Sequence, residues 1–166
     1  MTRLDFLSPS RCAPEALASP LRRALAHAPA SVRDLSLEGK VELRGDLDRF
    51  EPQPGEELVR LSPRRGLLLT EDPLAAVARA RSAGVLAYDV SGGLAGLALE
   101  GERLLRRLTH LDLERLPAAG PFAHVAAILL RDEGERFRVY LPQELAHDVA
   151  EAVLDTLAGL EAEGDA

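Results

Sequence analysis

Apolar and polar residues alternate along much of the chain, and this alternation predicts β-strands arranged in sequential pairs. Each pair consists of two alternating segments separated by a short stretch rich in glycine, serine or charged residues, which is typical of a turn. The predicted pairs span residues 31–47 with a turn near Glu38-Gly39, residues 57–72 with a turn at Ser62–Gly66, residues 85–101 with a turn at Ser91-Gly92-Gly93, and residues 122–141 with a turn at Asp132-Glu133-Gly134.

Helical periodicity occurs between and after these pairs. Asp72 followed by Pro73 is a cap and first turn, and Gly84 is a stop residue, so a helix is predicted between them. A short helix around residues 103–108 turns its leucines inward and its arginines outward. Strand pairs that alternate with single helices indicate an α+β fold, an antiparallel sheet with helices packed on it. The final helix starts near Pro142 and has an apolar face formed by Leu145, Val149, Val153, Leu157 and Leu160.

Two of the strand pairs are similar in sequence, so the chain contains an internal repeat. VRDLSLEGKVELRGD (32–46) aligns with AYDVSGGLAGLALEGE (87–102). The repeat predicts two similar halves related by a pseudo-twofold axis, in which residues 32–47 and 87–102 form equivalent hairpins. The matched positions are Asp34 with Asp89, Ser36 with Ser91, Leu37 with Leu94, Gly39 with Gly96, and Gly45-Asp46 with Gly101-Glu102.

The chain is divided into three segments on these patterns. Residues 1–30 form an N-terminal lead-in, in which Ser19-Pro20 starts a short helix. Residues 31–162 form a single α+β domain, and residues 163–166 form a C-terminal tail.

Composition and charge exclude several classes of protein. The 166-residue chain has a formal net charge of −7, which argues against nucleic-acid binding. No apolar run approaches the ~20 residues that span a bilayer, and the N-terminus lacks the apolar region of a signal peptide. Cys12 is the only cysteine, so an internal disulfide is excluded and a cytoplasmic location is predicted. Lys40 is the only lysine, and we interpret this arginine bias as compositional.

The glycines after Ser91 raise the question of a catalytic or phosphate-binding loop. A phosphate-binding loop ends in a lysine and a hydroxyl residue and opens a helix, whereas an apolar strand follows here. A nucleophile turn has one glycine two residues before its serine and another two residues after it. Gly93 fits the second position, but Asp89 holds the first, so Ser91 matches only half of the motif. The four histidines show no metal-ligand spacing, so no metal site is predicted. A small hydrolase using Ser91, or His110 with Asp112, is a third-ranked alternative.

Both repeats contain Asp-hydrophobic-Ser, a glycine and an apolar strand that ends in Gly-Asp or Gly-Glu, and the second continues into LLRRLTHLDL (104–113). This order of elements resembles the folate-binding aminomethyltransferase superfamily, which includes the T-protein of glycine cleavage. The short length and residues 122–157 are most similar to the gamma subunit of heterotetrameric sarcosine oxidase. ELVRLSPRRGLLL (57–69) is similar to a strand pair of that subunit, although Arg65-Gly66 replaces the aromatic residue usual in its turn. The resemblance covers residues 31–160.

The resemblance implies a T-protein folate-binding-domain fold and two functions. T-proteins carry carboxylates after the turn that corresponds to residues 132–134, where this chain has Glu135-Arg136-Phe137-Arg138. The resemblance therefore favours a non-catalytic subunit that contributes to assembly with larger flavin-containing chains and to a folate-related compartment. Flavin and nicotinamide chemistry belongs to the other subunits of such an oxidase, so this chain alone is assigned no cofactor and no activity. The alternative is a stand-alone module of one-carbon metabolism that binds tetrahydrofolate.

Clustered arginines are the candidate partner-binding residues. Otherwise acidic proteins use such local basic faces to steer association with a partner. The candidates are Arg103, Arg106 and Arg107 on the short helix, and Arg136 and Arg138 on the last strand pair.

Overall fold

The computed structural model describes residues 18–164, which form nine strands and three α-helices. Cys12 and most of the predicted lead-in lie outside the described residues. The helices are α1 (Pro73–Ser82), α2 (Glu102–Leu108) and α3 (Ala146–Gly164). The strands are β1 (Val32–Asp34), β2 (Gly39–Arg44), β3 (Glu57–Ser62), β4 (Arg65–Thr70), β5 (Leu86–Asp89), β6 (Leu94–Glu100), β7 (Ala118–Phe122), β8 (Val125–Arg131) and β9 (Arg136–Pro142).

The strands divide into two antiparallel sheets. One sheet has five strands in the order β1-β6-β9-β8-β7, and the other has four in the order β3-β4-β2-β5. β3 pairs with β4 and β8 pairs with β9, as the apolar patterns predict. Asp72 caps α1 as predicted, because its side chain accepts a hydrogen bond from the Ala75 amide at 3.0 Å. The α+β class, with helices packed on antiparallel strands, is confirmed.

The two repeated segments do not form the predicted hairpins. β1 pairs with β6, and β2 pairs with β5, so the two strands of each repeat lie in different sheets. Alternation of apolar residues defines which face of a strand is buried, but it does not define which strand is the partner. Each half of the molecule therefore donates its first strand to the edge of the other half's sheet.

This exchange relates the two halves by a pseudo-twofold pattern of pairing. The order β1-β2-β3-β4-α1 in the first half corresponds to β5-β6-β8-β9-α3 in the second, and equivalent strands have equivalent neighbours. α2 and β7 are additions to the second half. The composition of LPAAGP (116–121) is typical of a linker, yet β7 occupies most of this segment, because residues 118–122 complete a ladder with β8.

Apolar side chains place the helices on the outer faces of the two sheets. α1 covers the four-stranded sheet through Ala76 and Ala80. α2 and α3 cover the five-stranded sheet in a larger cluster that includes Leu104 and Val153. The inner faces of the sheets meet in a smaller cluster, formed by Val59, Leu67, Leu69, Ile128, Leu130 and Tyr140.

Two terminal elements differ from the sequence predictions. Residues 20–27 form successive turns rather than a helix. The Ser19 hydroxyl nevertheless accepts a hydrogen bond from the Leu21 amide, as a capping residue does. Leu21 is fully buried in the same core as α3, so this part of the lead-in packs on the domain. Leu145 is exposed and not part of an apolar face, because it lies in a short 3-10 turn and α3 begins with the buried Ala146.

Val153 tests whether α3 docks on the five-stranded sheet, where this side chain is fully buried. Val153→Asp buries an unpaired carboxylate at a cost of several kcal/mol, against a total stability of ~5–15 kcal/mol. We therefore expect this variant to unfold or to lose most of its thermal stability. Ala158→Asp places the same charge on the exposed face of α3 and should leave the melting temperature nearly unchanged. Thermal denaturation followed by circular dichroism measures both, and equal melting temperatures would show that α3 is not docked through Val153.

Candidate functional site

The Asp-x-Ser segments mark the points where the chain leaves one sheet and enters the other. After β1, Asp34 Oδ1 accepts the Ser36 amide at 2.8 Å, and Ser36 Oγ accepts the Gly96 amide at 3.2 Å. The Leu35 amide donates to the Gly96 carbonyl at 2.8 Å. The first repeat is thereby fastened to β6 of the second half.

The second repeat makes the equivalent bonds to the first half. Asp89 Oδ1 accepts the Ser91 amide at 3.0 Å, and Ser91 Oγ accepts the Lys40 amide at 2.9 Å. The Val90 amide donates to the Lys40 carbonyl at 2.9 Å. The Ser91 hydroxyl also donates to Asp89 Oδ1 at 2.6 Å. Ser91 therefore holds the junction between the halves, and its hydroxyl is engaged by backbone and carboxylate rather than placed as a nucleophile.

These bonds correct the alignment of the repeats by one residue, because Gly96 corresponds to Lys40 rather than to Gly39. Gly96 lies opposite Tyr140 in the β6–β9 ladder, and a Cβ atom at Gly96 would lie only 2.9 Å from Tyr140 Cε1. At the equivalent place in the other sheet, Lys40 lies opposite Leu69. The absence of a side chain at Gly96 thus makes room for the Tyr140 ring.

Lys40 is completely buried at this junction. Its Nζ donates to the carbonyls of Ser36 at 2.9 Å and Glu38 at 2.6 Å, and it lies 5.9 Å from the centre of the Tyr140 ring. Burial lowers the pKa of Lys40, and the negative charge of Glu38 partly opposes this effect. The ammonium group holds the turn between β1 and β2. Its only signal in the sequence is that it is the single lysine, and the arginine bias alone does not indicate this structural role.

Tyr140 links the same turn to β9. Its hydroxyl donates to Glu38 Oε2 at 2.8 Å, and its side chain is fully buried. Burial, followed by the nearby carboxylate of Glu38, raises the pKa of Tyr140 above its ordinary value. Lys40, Glu38 and Tyr140 therefore form one network, and sequence reasoning assigned none of the three a role.

A cavity of about 340 Å³ lies between the inner faces of the two sheets, beside Tyr140. Its walls are mostly apolar and include Leu67 and Ile128, whereas Glu42 and Arg65 supply charged groups. Ligand pockets have volumes of ~300–1,000 Å³ and mainly apolar walls with a few polar groups. The cavity has the size and the lining of a small-molecule site.

Glu42 is held as a carboxylate beside this cavity. Burial alone would raise the pKa of Glu42, but hydrogen bonds from Arg44 and Arg65 outweigh this effect and lower it. The closest contacts to Glu42 Oε1 are 3.0 Å from Arg44 and 2.8 Å from Arg65.

The arginines predicted to contact a partner lie in two separate places. On α2, Arg103 and Arg107 both pair with Glu163 near the end of α3, at 3.4 and 3.0 Å. Arg106 pairs with Glu102 one turn earlier, at 2.6 Å. The positive charge of this face is thus partly balanced within the chain.

The other two arginines lie on β9 and also have internal carboxylate partners. Arg136 pairs with Glu133 at 3.5 Å. Arg138 pairs with Glu57 at 2.8 Å and with Asp132 at 2.7 Å. Because Glu57 is on β3, Arg138 connects the two sheets.

The histidines do not combine with other ligands. His147 lies 3.2 Å from Glu151 on α3. His124 lies in the turn between β7 and β8 with a φ of 66°, so the first strand of the pair predicted over residues 122–141 begins only after it, at Val125. Within residues 18–164 no group of three or more histidine, cysteine or acidic residues has the arrangement of a metal site. No helix in this part of the chain is long and apolar enough to cross a bilayer.

Comparison with known proteins finds a likeness among solved structures. No family model matches the chain, and no curated protein matches it by sequence. A chain of the heterotetrameric sarcosine oxidase from Corynebacterium sp. U-96, solved in complex with pyrrole 2-carboxylate, aligns with a TM-score of 0.75 and 16% identity. The alignment covers 86% of this chain and 95% of that chain. The protein shares its fold with a sarcosine oxidase chain. The likeness therefore extends over most of this chain and nearly all of that chain.

The buried ammonium of Lys40 makes a testable contribution to the pH dependence of stability. Unfolding returns Lys40 to its ordinary pKa of 10.5, so just below that pH the unfolded chain binds more protons than the folded chain. Higher pH then favours the folded state. We expect the difference in unfolding free energy between wild type and Lys40→Met to shift in favour of wild type as pH rises from neutral towards 10.5.

Urea denaturation at several pH values measures this difference. Arg33→Met, at an exposed position of β1, is the matched control and should show no such trend. A difference for Lys40→Met that is constant or that shrinks with rising pH would contradict the depressed pKa.

Proposed function

We propose that this protein is a non-catalytic subunit of a sarcosine-oxidase-like flavoenzyme, equivalent to the gamma subunit of the heterotetramer and related to the folate-binding aminomethyltransferases. It contributes to assembly with larger flavin-containing chains and to a folate-related compartment. The observation that carries the proposal is the alignment of 86% of this chain with 95% of one chain of such an oxidase. A match to nearly a whole subunit supports a subunit role better than a match to a fragment of a large chain would.

The residues on β9 also support a non-catalytic role. T-proteins carry carboxylates for the folate reaction near this place, and here the chain presents Arg138 in ion pairs with Glu57 and Asp132. A guanidinium is permanently protonated and cannot act as a proton acceptor. The two carboxylates that reach this position, Glu57 and Asp132, both accept hydrogen bonds from Arg138.

A stand-alone folate-binding module is the second candidate, and the cavity between the sheets is the observation that favours it. Its apolar walls suit a flat heteroaromatic ring, and Glu42 at its wall is an acceptor for ring or amino N–H groups. In that case the ligand is tetrahydrofolate, and no larger chain is needed.

Co-expression tests the subunit role. We expect the protein to co-elute in size-exclusion chromatography with the larger flavin-containing oxidase chains of the same organism. Alone, it should produce no peroxide from sarcosine and should transfer no aminomethyl group. Separate elution of the co-expressed chains would contradict the subunit role, and sarcosine oxidation by the isolated chain would contradict the non-catalytic one.

A tetrahydrofolate titration separates the two candidates. Ala126 lines the cavity and is exposed, so Ala126→Trp fills the space without disturbing a buried position. If the chain is a subunit without its own ligand, wild type and Ala126→Trp should give the same weak calorimetric response. Saturable binding to wild type that Ala126→Trp abolishes and Ala158→Trp leaves intact would support the folate-binding module instead.

A further inference from the structure

Edge strands invite pairing with other chains, and proteins usually protect them with short length, charge, proline or a bulge. Three of the edge strands in the described sheets carry such protection. β1 has only three residues, β3 is interrupted by a register shift between Arg60 and Ser62, and β7 contains Pro121. β5, the other edge of the four-stranded sheet, is four residues long and ends in Asp89, but it contains no proline and no register shift.

β5 exposes apolar side chains instead. Leu86 is 60% exposed and Tyr88 is 47% exposed. They are two residues apart, so both project from the same side of the strand. Leu86 lies opposite Arg44, and Tyr88 lies opposite Glu42, in the ladder with β2.

Arginines surround these two side chains. Arg44 lies opposite Arg65 in the neighbouring ladder, and Arg64 precedes Arg65 in the β3–β4 turn. An open groove of about 520 Å³ is lined by Arg44, Arg64, Arg65 and Leu86, among others. On the free side of β5, Arg81 donates to the Ala87 carbonyl at 2.9 Å.

We call this surface the β5 patch and define it as Arg44, Arg64, Arg65, Arg81, Leu86 and Tyr88. The carboxylates beside these four arginines are Glu42 and Asp89. Arg44 and Arg65 share the single carboxylate of Glu42. Arg64 and Arg81 form no ion pair with any residue in the described part of the chain. In a protein of net charge −7, the patch is a local basic surface with an apolar centre.

We propose that the β5 patch binds an extended acidic segment of a partner chain, which lies along β5. Apolar side chains of the segment cover Leu86 and Tyr88, and its carboxylates pair with Arg64 and Arg81. A second copy of this protein is a poor occupant, because two basic patches would repel each other. The inference rests on the proposed function in one respect: the source of the segment is a larger subunit of the oxidase-like assembly.

A synthetic peptide tests the surface without the assembly. The probe is a fluorescein-labelled peptide of alternating aspartate and valine, and its control has lysine in place of aspartate. Of the two peptides, we expect only the acidic one to bind, with protection of the amides of residues 86–89 from hydrogen exchange.

Arg64→Glu combined with Arg81→Glu should weaken binding of the acidic peptide at least about tenfold at low salt, and this double change breaks no ion pair. Arg23→Glu combined with Arg115→Glu, a matched change at exposed positions elsewhere, should leave it unchanged.

Leu86→Ser provides a second variant that changes no charge. It should weaken peptide binding while circular dichroism shows an unchanged fold. Absence of acidic peptide binding, or equal binding by the Arg64/Arg81 and Arg23/Arg115 variants, overturns the inference. Association of the free protein into dimers that Leu86→Ser dissolves would also overturn it and would assign the patch to self-assembly.

The same variants in the co-expression assay connect the patch to the assembly. Loss of co-elution for the Arg64/Arg81 variant and retention for the Arg23/Arg115 variant support the inference. Reversal of the charges of Arg106 and Arg107 in the same assay tests the α2 face.

If wild type forms the complex and the Arg64/Arg81 variant forms it equally well, the inference fails while the proposed function stands. If wild type forms no complex, the proposed function fails and the peptide experiment alone decides the surface.

Discussion

The exchange of first strands between the two halves is the constraint on which the rest of the structure depends. β1 completes the edge of the sheet built by the second half, and β5 completes the edge of the sheet built by the first. At each crossing a serine hydroxyl accepts a hydrogen bond from a backbone amide of the other half. Ser36 accepts from Gly96, and Ser91 accepts from Lys40. A buried amide left without a partner costs ~1–3 kcal/mol, so neither half satisfies its own backbone without the other. The two halves are therefore one cooperative unit and not two small domains joined by a linker.

The pairing is symmetric, but the space between the sheets is filled asymmetrically. Lys40 faces Leu69 in one ladder, and at the equivalent place Gly96 faces Tyr140 in the other. The large ring occupies the space that glycine leaves, and the lysine side chain extends to within 5.9 Å of the centre of that ring. Because the ammonium also binds two backbone carbonyls, its burial is compensated by hydrogen bonds. The two repeats therefore share Asp-x-Ser, which makes the same bonds at both crossings, and they differ at Lys40 and Gly96, which face the space between the sheets.

Sequence patterns were sufficient for the elements that depend on local physics. The cap at Asp72, the paired strands β3–β4 and β8–β9, and the buried position of Val153 follow from capping, turn chemistry and periodicity. Long-range partners could not be obtained in this way. Alternation in the repeats indicated strands but gave the wrong pairing, and Arg107 gave no sign that Glu163, at the far end of the chain, would neutralise it. Similarly, the spacing of Asp89 and Ser91 was recognised, whereas the amide that donates to the Ser91 hydroxyl comes from Lys40, 51 residues earlier in the chain.

The second half of the molecule has two elements that the first half lacks. β7 extends the sheet of the second half and ends it in a strand with a proline, and α2 packs beside α3 on the outer face of the same sheet. The first half has no such additions, and the donated strand β5 lies at the edge of its sheet with Leu86 and Tyr88 exposed. A fold match at 16% identity preserves architecture and leaves surfaces free to change. An edge produced by the strand exchange itself is determined by architecture rather than by individual side chains. The open edge at β5 is therefore a direct consequence of how the two halves are joined, and the arginines around it determine which partner it accepts.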